Sequence, residues 1–342
     1  MNSGLLEALS AHAAENRLGL HTPGHQQGKG LLPAFSRLLA DYGAALDLTE
    51  LPGLDCLAAP AGCLAKSQED FAALTGSSEA FYLVNGATGG LQAAMLAMSG
   101  PGVPTFFPAF AHASIYQGLV LSGGWPMVLP CSVDRRWGLP LGIDKEAAGA
   151  VLAGKEAGQG EALWVSVNPT YHGVMADLAW EKETLAAHPQ WAWLEDEAHG
   201  AHLPYVRAET GCFTDGASAK SRTGLSSADA KDAADRRRGS AIAFGAQAVV
   251  QSLHKMAAGF TQTAVLHCCH VPLAAKLRET VNILQSSSPS YLLLASIDAW
   301  KTFLANGGRE DLRRTDRLAE EVACQIRAMG AYRLWQDELP DG

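Results

Sequence analysis

Residues Ala248 to His267 read AVVQSLHKMAAGFTQTAVLH. Val249-Val250 is a short apolar run that leads in, and Thr263 to Leu266 is a second that leads out, both suited to buried strands. Between them stand a hydroxyl, an imidazole and one lysine, Ser252-Leu253-His254-Lys255, and then the small-residue turn Ala257-Ala258-Gly259. A lysine at the end of a buried strand has its ammonium form disfavoured by desolvation, which makes Lys255 a candidate Schiff-base nucleophile. A lone lysine is more often a loop residue with its head in water. The rest of the chain decides between the two.

Working outward, apolar strands end repeatedly in polar clusters. Phe81 to Val84 runs into Asn85-Gly86-Ala87-Thr88-Gly89-Gly90 and a helix from Leu91 to Met98. Strand, glycine-rich turn with a hydroxyl, then helix is an arrangement that offers backbone N–H groups and a helix dipole to a phosphate. It matches neither GxxxxGK[ST] nor GxGxxG, so a plain strand-to-helix turn stays open at this point. Leu163 to Val167 ends in Asn168-Pro169-Thr170-Tyr171-His172-Gly173, and Trp191 to Glu195 ends in Asp196-Glu197-Ala198-His199-Gly200. Further strands are expected at Thr105 to Phe107 and Pro126 to Pro130, with helices over 3–16, 65–74, 112–121, 276–284, 291–304 and 310–329. The alternation predicts an α/β domain with a mainly parallel sheet, in which ligands bind beyond the carboxyl ends of the strands. The clusters at 85–90, 168–172, 196–200 and 252–255 all fall at such ends. A strand is also expected at Tyr332 to Trp335.

The composition limits what the chain can do. With 342 residues, 48% hydrophobic, a sizeable core is possible in one large domain or two ordinary ones. The net charge of −9 leaves no basic footprint for nucleic acid or an anionic membrane. Seven cysteines without a CxxC pair fit reduced thiols, and Cys268-Cys269-His270 has no second pair to complete a metal site, so no metal is expected. Met1 to Arg17 lacks the apolar core of a secretory signal, and no run reaches the roughly 18–20 apolar residues of a membrane span. The expected compartment is the cytoplasm. The polar, Ala/Ser/Asp-rich run over 212–240, closing in Arg236-Arg237-Arg238, reads as a mobile surface insertion.

Six motifs occur in order: LHTPGH (20–25), VNGATGG (84–90), NPTYHGV (168–174), DEAHGAH (196–202), QSLHK (251–255) and SSSPSYLLLASID (286–298). Together they resemble the major domain of the Orn/Lys/Arg decarboxylases, fold-type-I enzymes that use pyridoxal 5'-phosphate. The resemblance runs from about Gly19 to Asp298. It implies an aspartate-aminotransferase-like fold, with a mainly parallel seven-stranded sheet flanked by helices. It also implies a homodimer or a multiple of dimers with the active site at the interface. By position, Lys255 matches the Schiff-base lysine and Asp196 the partner of the cofactor's ring nitrogen. His112 matches the histidine stacked on the ring, with Ala198 against the other face. Ala87 (through its backbone), Thr88 and Ser252 match phosphate contacts, with His254 nearby. His199 is expected to orient Asp196 by a hydrogen bond, the Ser286–Ser290 turn to reach the partner subunit's phosphate, and His21 and His25 to touch substrate.

Three departures from the family pattern stand out. Gln26 replaces the lysine of a PGHK loop, Ala113 follows His112 where lysine is usual, and the 212–240 insertion is unmatched. The resemblance divides the chain into an N-terminal helix and active-site loop segment (1–60), a cofactor-binding major domain (61–306) and the start of a truncated C-terminal domain (307–342). The small domain, which in the family carries substrate contacts, is expected to be largely absent. The activity implied is decarboxylation of lysine, arginine or ornithine to cadaverine, agmatine or putrescine. The alternatives are an aminotransferase or other fold-type-I lyase, or a non-catalytic partner of a full-length homologue.

Overall fold

The computed structural model describes residues 4–15, 19–154, 160–206 and 239–337. Nine strands are present among them: β1 (Glu79–Leu83), β2 (Pro104–Pro108), β3 (Trp125–Leu129), β4 (Cys131–Asp134), β5 (Leu139–Ile143), β6 (Ala162–Val167), β7 (Trp191–Asp196), β8 (Ala248–Ser252) and β9 (Ala264–Cys268). Seven of them form one sheet in the order β1-β9-β8-β7-β6-β2-β3, and β4 and β5 form a separate hairpin. The contacts from β3 through β8 are all parallel, whereas β9 runs antiparallel to both β8 and β1. The expected mainly parallel, seven-stranded sheet is therefore present, with β9 as its single reversed strand.

The central strands are apolar along almost their whole length because both faces of the sheet are covered. One face carries Leu83, Leu163, Val165, Leu194, Val250 and Leu266 against the helices Gly86–Met98, Ala113–Ser122 and Val271–Leu284. Buried Ala93, Ala94 and Ala97 on the first of these helices keep it close to its neighbours. On the other face, Tyr82, Val265 and Leu253 pack with Phe71 of helix Cys63–Thr75 and Trp300 of helix Tyr291–Phe303. Farther along that face, Phe106, Trp164, Trp193 and Val249 pack with Leu178 of helix Leu178–Ala186. The result is three layers, helix on sheet on helix.

Several local expectations change. The glycine-rich run after β1 is not a free loop, since the helix begins at Gly86 and the glycines form its first turn. The helix expected from Lys276 begins at Val271, with Pro272 tolerated in the first turn, where no intrahelical N–H bond is needed. Tyr332 to Trp335 is not a strand. Helix Arg309–Met329 ends on Gly330 with φ +66°, and Trp335–Asp337 closes as a 3₁₀ turn. That turn is held by side chains instead of a ladder: Arg327 grips Asp337 through Nε and Nη2 (2.7 and 2.6 Å), and Trp335 Nε1 donates to Asp134 Oδ2 at 2.9 Å. The β4–β5 hairpin is an addition that periodicity alone does not reveal. Of the expected 212–240 insertion, residues 212–238 lie outside the described residues. No helix among the described residues is long and apolar enough to cross a membrane.

Candidate active site

The carboxyl ends of β6, β7 and β8 lie side by side, with that of β1 at the same end of the sheet beyond β9, and most of the residues singled out from the sequence meet there. β7 and β8 pair with Asp196 opposite Val250, so the chain leaves both strands at one edge. After Ser252, a single helical turn, Leu253–Met256, carries Lys255. Leu253 anchors this turn: its N–H donates to Thr263 O (2.9 Å) and its carbonyl accepts from Gly259 N (3.1 Å). Lys255 is half-buried, and its Nζ lies 3.1 Å from His199 Nε2. Burial lowers the lysine's pKa below the ordinary value, while the charge of Asp196 pulls it back up. The amine is thus biased toward its nucleophilic, uncharged form.

Asp196 is fully buried, and its Oδ1 accepts the Ala198 N–H at 3.1 Å. Burial raises its pKa, opposed by that hydrogen bond and by the positive charges of Lys255 and His112. His199 is held down to about 4, first by burial and then by the charges of Lys255, His112 and His254. At neutral pH its ring is uncharged, and Nε2 can accept a hydrogen bond from the Lys255 ammonium. The orienting bond expected between His199 and Asp196 is supplied instead by the Ala198 N–H, because the His199 ring turns toward Lys255. Tyr171 stands edge-on to His199, with ring centroids 5.6 Å apart.

His112 caps helix Ala113–Ser122, its Nδ1 accepting from the Ser114 N–H at 3.2 Å and lying 2.9 Å from Ser114 Oγ. The ring is exposed at the helix start, close enough to Asp196 and His199 for its charge to be felt by both. Ala87 and Thr88 occupy the first turn of helix Gly86–Met98, Ala87 buried and Thr88 exposed, and Asn85 makes no capping side-chain bond to that turn. Ser252 is buried with Oγ 3.0 Å from His254 Nδ1, and burial and the Lys255 charge lower the pKa of His254.

The LHTPGH loop docks directly on the lysine turn. Gly24 N donates to His254 O at 2.8 Å, and a Cβ on Gly24 would lie 2.6 Å from Ala257 O and 2.9 Å from Lys255 O, so only glycine fits this approach. His25 serves the loop itself, with Nδ1 accepting from Gly28 N (3.0 Å) and its ring edge-on to Phe260 at 5.5 Å. His21 is exposed, its Nδ1 2.7 Å from Thr22 O. In the turn after helix Val271–Leu284, Ser286 Oγ accepts from Ser288 N at 3.1 Å.

Behind the site lies a polar cluster that motif reading did not single out. Glu197 accepts from Gln251 Nε2 (2.6 Å), Ser240 Oγ (2.8 Å), Ala241 N (2.9 Å) and Asn168 Nδ2 (3.5 Å). Gln251 Oε1 in turn lies 3.1 Å from His267 Nε2, so the network reaches from β6 to β9. Asn168, Glu197 and Gln251 stand inside the quoted NPTYHGV, DEAHGAH and QSLHK motifs, the sequence signal that links them.

The donor set fits pyridoxal phosphate by its chemistry. Asp196 is a carboxylate whose pKa burial raises and whose side chain accepts one backbone hydrogen bond, so a protonated ring nitrogen would suit it as a partner. Lys255 offers an amine to an aldehyde, and the uncapped first turn at Ala87 and Thr88 offers N–H groups to a phosphate.

The model of the Orn/Lys/Arg decarboxylase family, major domain, matches residues 3–338. The arginine decarboxylase of Halalkalibacterium halodurans is 31% identical over 331 residues, covering 96% of this chain and 61% of the relative. The arginine decarboxylase of Bacillus subtilis is 30% identical over 93% of this chain and 59% of its own length. The chain therefore spans about three-fifths of the length of these curated relatives. Among solved structures, lysine decarboxylase A from Pseudomonas aeruginosa superposes with a TM-score of 0.64 at 22% identity, covering 94% of this chain and 42% of that one. That last likeness is one of fold, the aspartate-aminotransferase-like fold of the fold-type-I enzymes.

Proposed function

We propose, from the fact that this chain belongs to the Orn/Lys/Arg decarboxylase family, that it binds pyridoxal phosphate on Lys255 and decarboxylates a basic amino acid. Arginine is the favoured substrate and agmatine the product, a reading supported by the two relatives named arginine decarboxylase. The observation that carries the proposal is the meeting of Lys255, His199 and buried Asp196 at the ends of adjacent parallel strands.

When bound, pyridoxal phosphate supplies the electron sink that takes up the pair released with CO₂. Each residue then has a defined task. Asp196, kept from water, pairs with the ring nitrogen and holds a proton there. Lys255 is the covalent anchor, and burial keeps its amine competent to attack. Lys255 would hold a proton at Nζ, where neutral His199 Nε2 accepts a hydrogen bond from it. That proton is in place to be delivered to the substrate's α-carbon. His112 and Ala198 are the residues that would hold the cofactor's ring. The N–H groups of Ala87 and Thr88 receive the phosphate, and Ser252 adds a hydroxyl oriented by His254. A homodimer with the site at its interface is part of the same proposal.

The test is mass spectrometry of amines, with CO₂ release, after incubating the protein and added cofactor with arginine, lysine and ornithine separately. Agmatine with stoichiometric CO₂ is expected. Cofactor bound without CO₂ from any of the three would overturn the decarboxylase reading, and a keto acid with pyridoxamine phosphate would identify an aminotransferase.

A further inference from the structure

Two glutamines clamp the turn that leads into helix Gly86–Met98. β1 is an edge strand whose ladder with β9 ends at the Leu83–Ala264 pair. The next residue, Val84, has left the sheet, yet both its backbone polar groups are satisfied. Its N–H donates to Gln285 Oε1 at 2.9 Å, and its carbonyl accepts from Gln262 Nε2 at 2.7 Å. Gln285 Nε2 also donates to Tyr82 O at 3.4 Å, so one side-chain amide bridges Tyr82 and Val84 as a neighbouring strand would. Gln262 acts twice, since its own carbonyl accepts the Gly86 N–H at 2.8 Å. It does so from a left-handed conformation, φ +66°, which brings its backbone oxygen and its side-chain amide to the same turn.

The consequence is a fixed cradle. Val84 and Gly86 are fully engaged, while Asn85 makes no capping bond and its Oδ1 is buried without a partner. The next N–H groups in the turn, on Ala87 and Thr88, are not covered by the cap. A neutral amide is the side chain suited to this task, because it donates and accepts at once and brings no charge beside an anion site.

We propose that Gln262 and Gln285 are positioning residues for the Asn85–Thr88 turn and set its preference for a phosphorylated ligand over the same ligand without phosphate. This rests on the reading of the site as a pyridoxal phosphate site. Neither glutamine needs to touch the ligand. Each acts by holding the backbone whose N–H groups do.

The test compares equilibrium binding of pyridoxal phosphate and of pyridoxal to the cofactor-free full chain, for wild type and for Gln285→Leu, Gln262→Gly and Gln285→Glu. The ratio of the two dissociation constants is the readout, and pyridoxal binding doubles as a check that each variant is folded. Glycine at 262 keeps the left-handed backbone and removes only the amide. The phosphate preference is expected to fall roughly tenfold in Gln285→Leu and Gln262→Gly. It is expected to fall further in Gln285→Glu, where a negative charge stands beside the turn. Wild type that prefers the phosphorylated ligand, with variants that keep the same preference or weaken both ligands equally, overturns the inference alone. Wild type with no preference for the phosphorylated ligand overturns the cofactor reading and the inference with it.

Discussion

Asp196 and Glu197 are adjacent carboxylates at the end of one strand, both fully buried, and their surroundings are opposite. Glu197 faces the far side of the sheet and accepts from four donors, Asn168 just past β6, Gln251 of β8, and Ser240 and Ala241. Asp196 faces the site, and among the described residues the hydrogen bond to its carboxylate is the one from Ala198 N–H. Burial pushes both carboxyls up, Glu197 to about 7. The difference is one of completion. A buried carboxylate with a full set of donors fastens the structure, whereas one with a single backbone donor retains capacity for a cation. The same strand end therefore carries an acid that fastens the structure and one proposed to serve the cofactor, two residues that a motif reading treats as one unit.

The comparison breaks most visibly if the two are exchanged in role. Asp196→Asn should lower turnover in the proposed decarboxylation a hundredfold or more, as expected for loss of a fixed charge at a developing charge. Its cofactor-free form should unfold in urea no earlier than wild type, because an uncharged amide relieves the cost of burying the carboxylate. Glu197→Ala should do the reverse to stability. Four donors lose their acceptor, and urea unfolding should show a loss of about 3 kcal/mol or more. A stable Glu197→Ala protein would contradict the structural assignment.

Smaller effects sharpen the contrast. Gly200 closes the Glu197 turn, its N–H donating to Glu197 O at 2.8 Å, and a Cβ there would lie 2.4 Å from Glu197 Cγ and 3.0 Å from Asn168 O. Gly200→Ala should cost about 2 kcal/mol in the same unfolding experiment. The smallest effect is in the pH dependence. The Glu197 carboxyl titrates near 7 in the fold against 4.5 ordinarily, so its contribution is full below about pH 4.5 and is lost as pH rises to about 7. His267, held near 3 by burial against 6.5, contributes fully above pH 6.5 and loses that contribution as pH falls toward 3. Glu197→Gln should flatten the decline in stability between pH 4.5 and 7. Glu181, also raised to about 7, titrates in the same window, so the decline should shrink without vanishing.

Much of this site was legible because its residues fall at strand ends, and strand ends can be read from apolar runs. Lys255, Asp196, Thr88 and the NPTYHGV segment were all placed this way, and the structure brings them to one edge of one sheet. What stayed hidden depends on pairing across long separations. The reversal of β9 cannot be told from apolar content, since a buried strand reads the same in either direction. The turn of His199 toward Lys255, 56 residues away, is set by packing and not by local pattern. Gln262 and Gln285 carry no charge and no motif, so their joint hold on Val84 appears only when β1, the turn before β9 and the end of a helix meet. The expected strand at Tyr332 to Trp335 failed for a related reason. Its residues suit a strand, but side chains from Arg327 and Asp134 fix the segment as a turn.

The central claim is that Lys255, near the buried carboxylate of Asp196, is the amine that holds pyridoxal phosphate. Borohydride reduction of the cofactor-loaded protein, followed by peptide mass mapping, tests it directly. A phosphopyridoxyl mass on the peptide carrying Lys255, absent in Lys255→Ala, is the predicted result. The same mass on another lysine, or label that persists in Lys255→Ala, would contradict it.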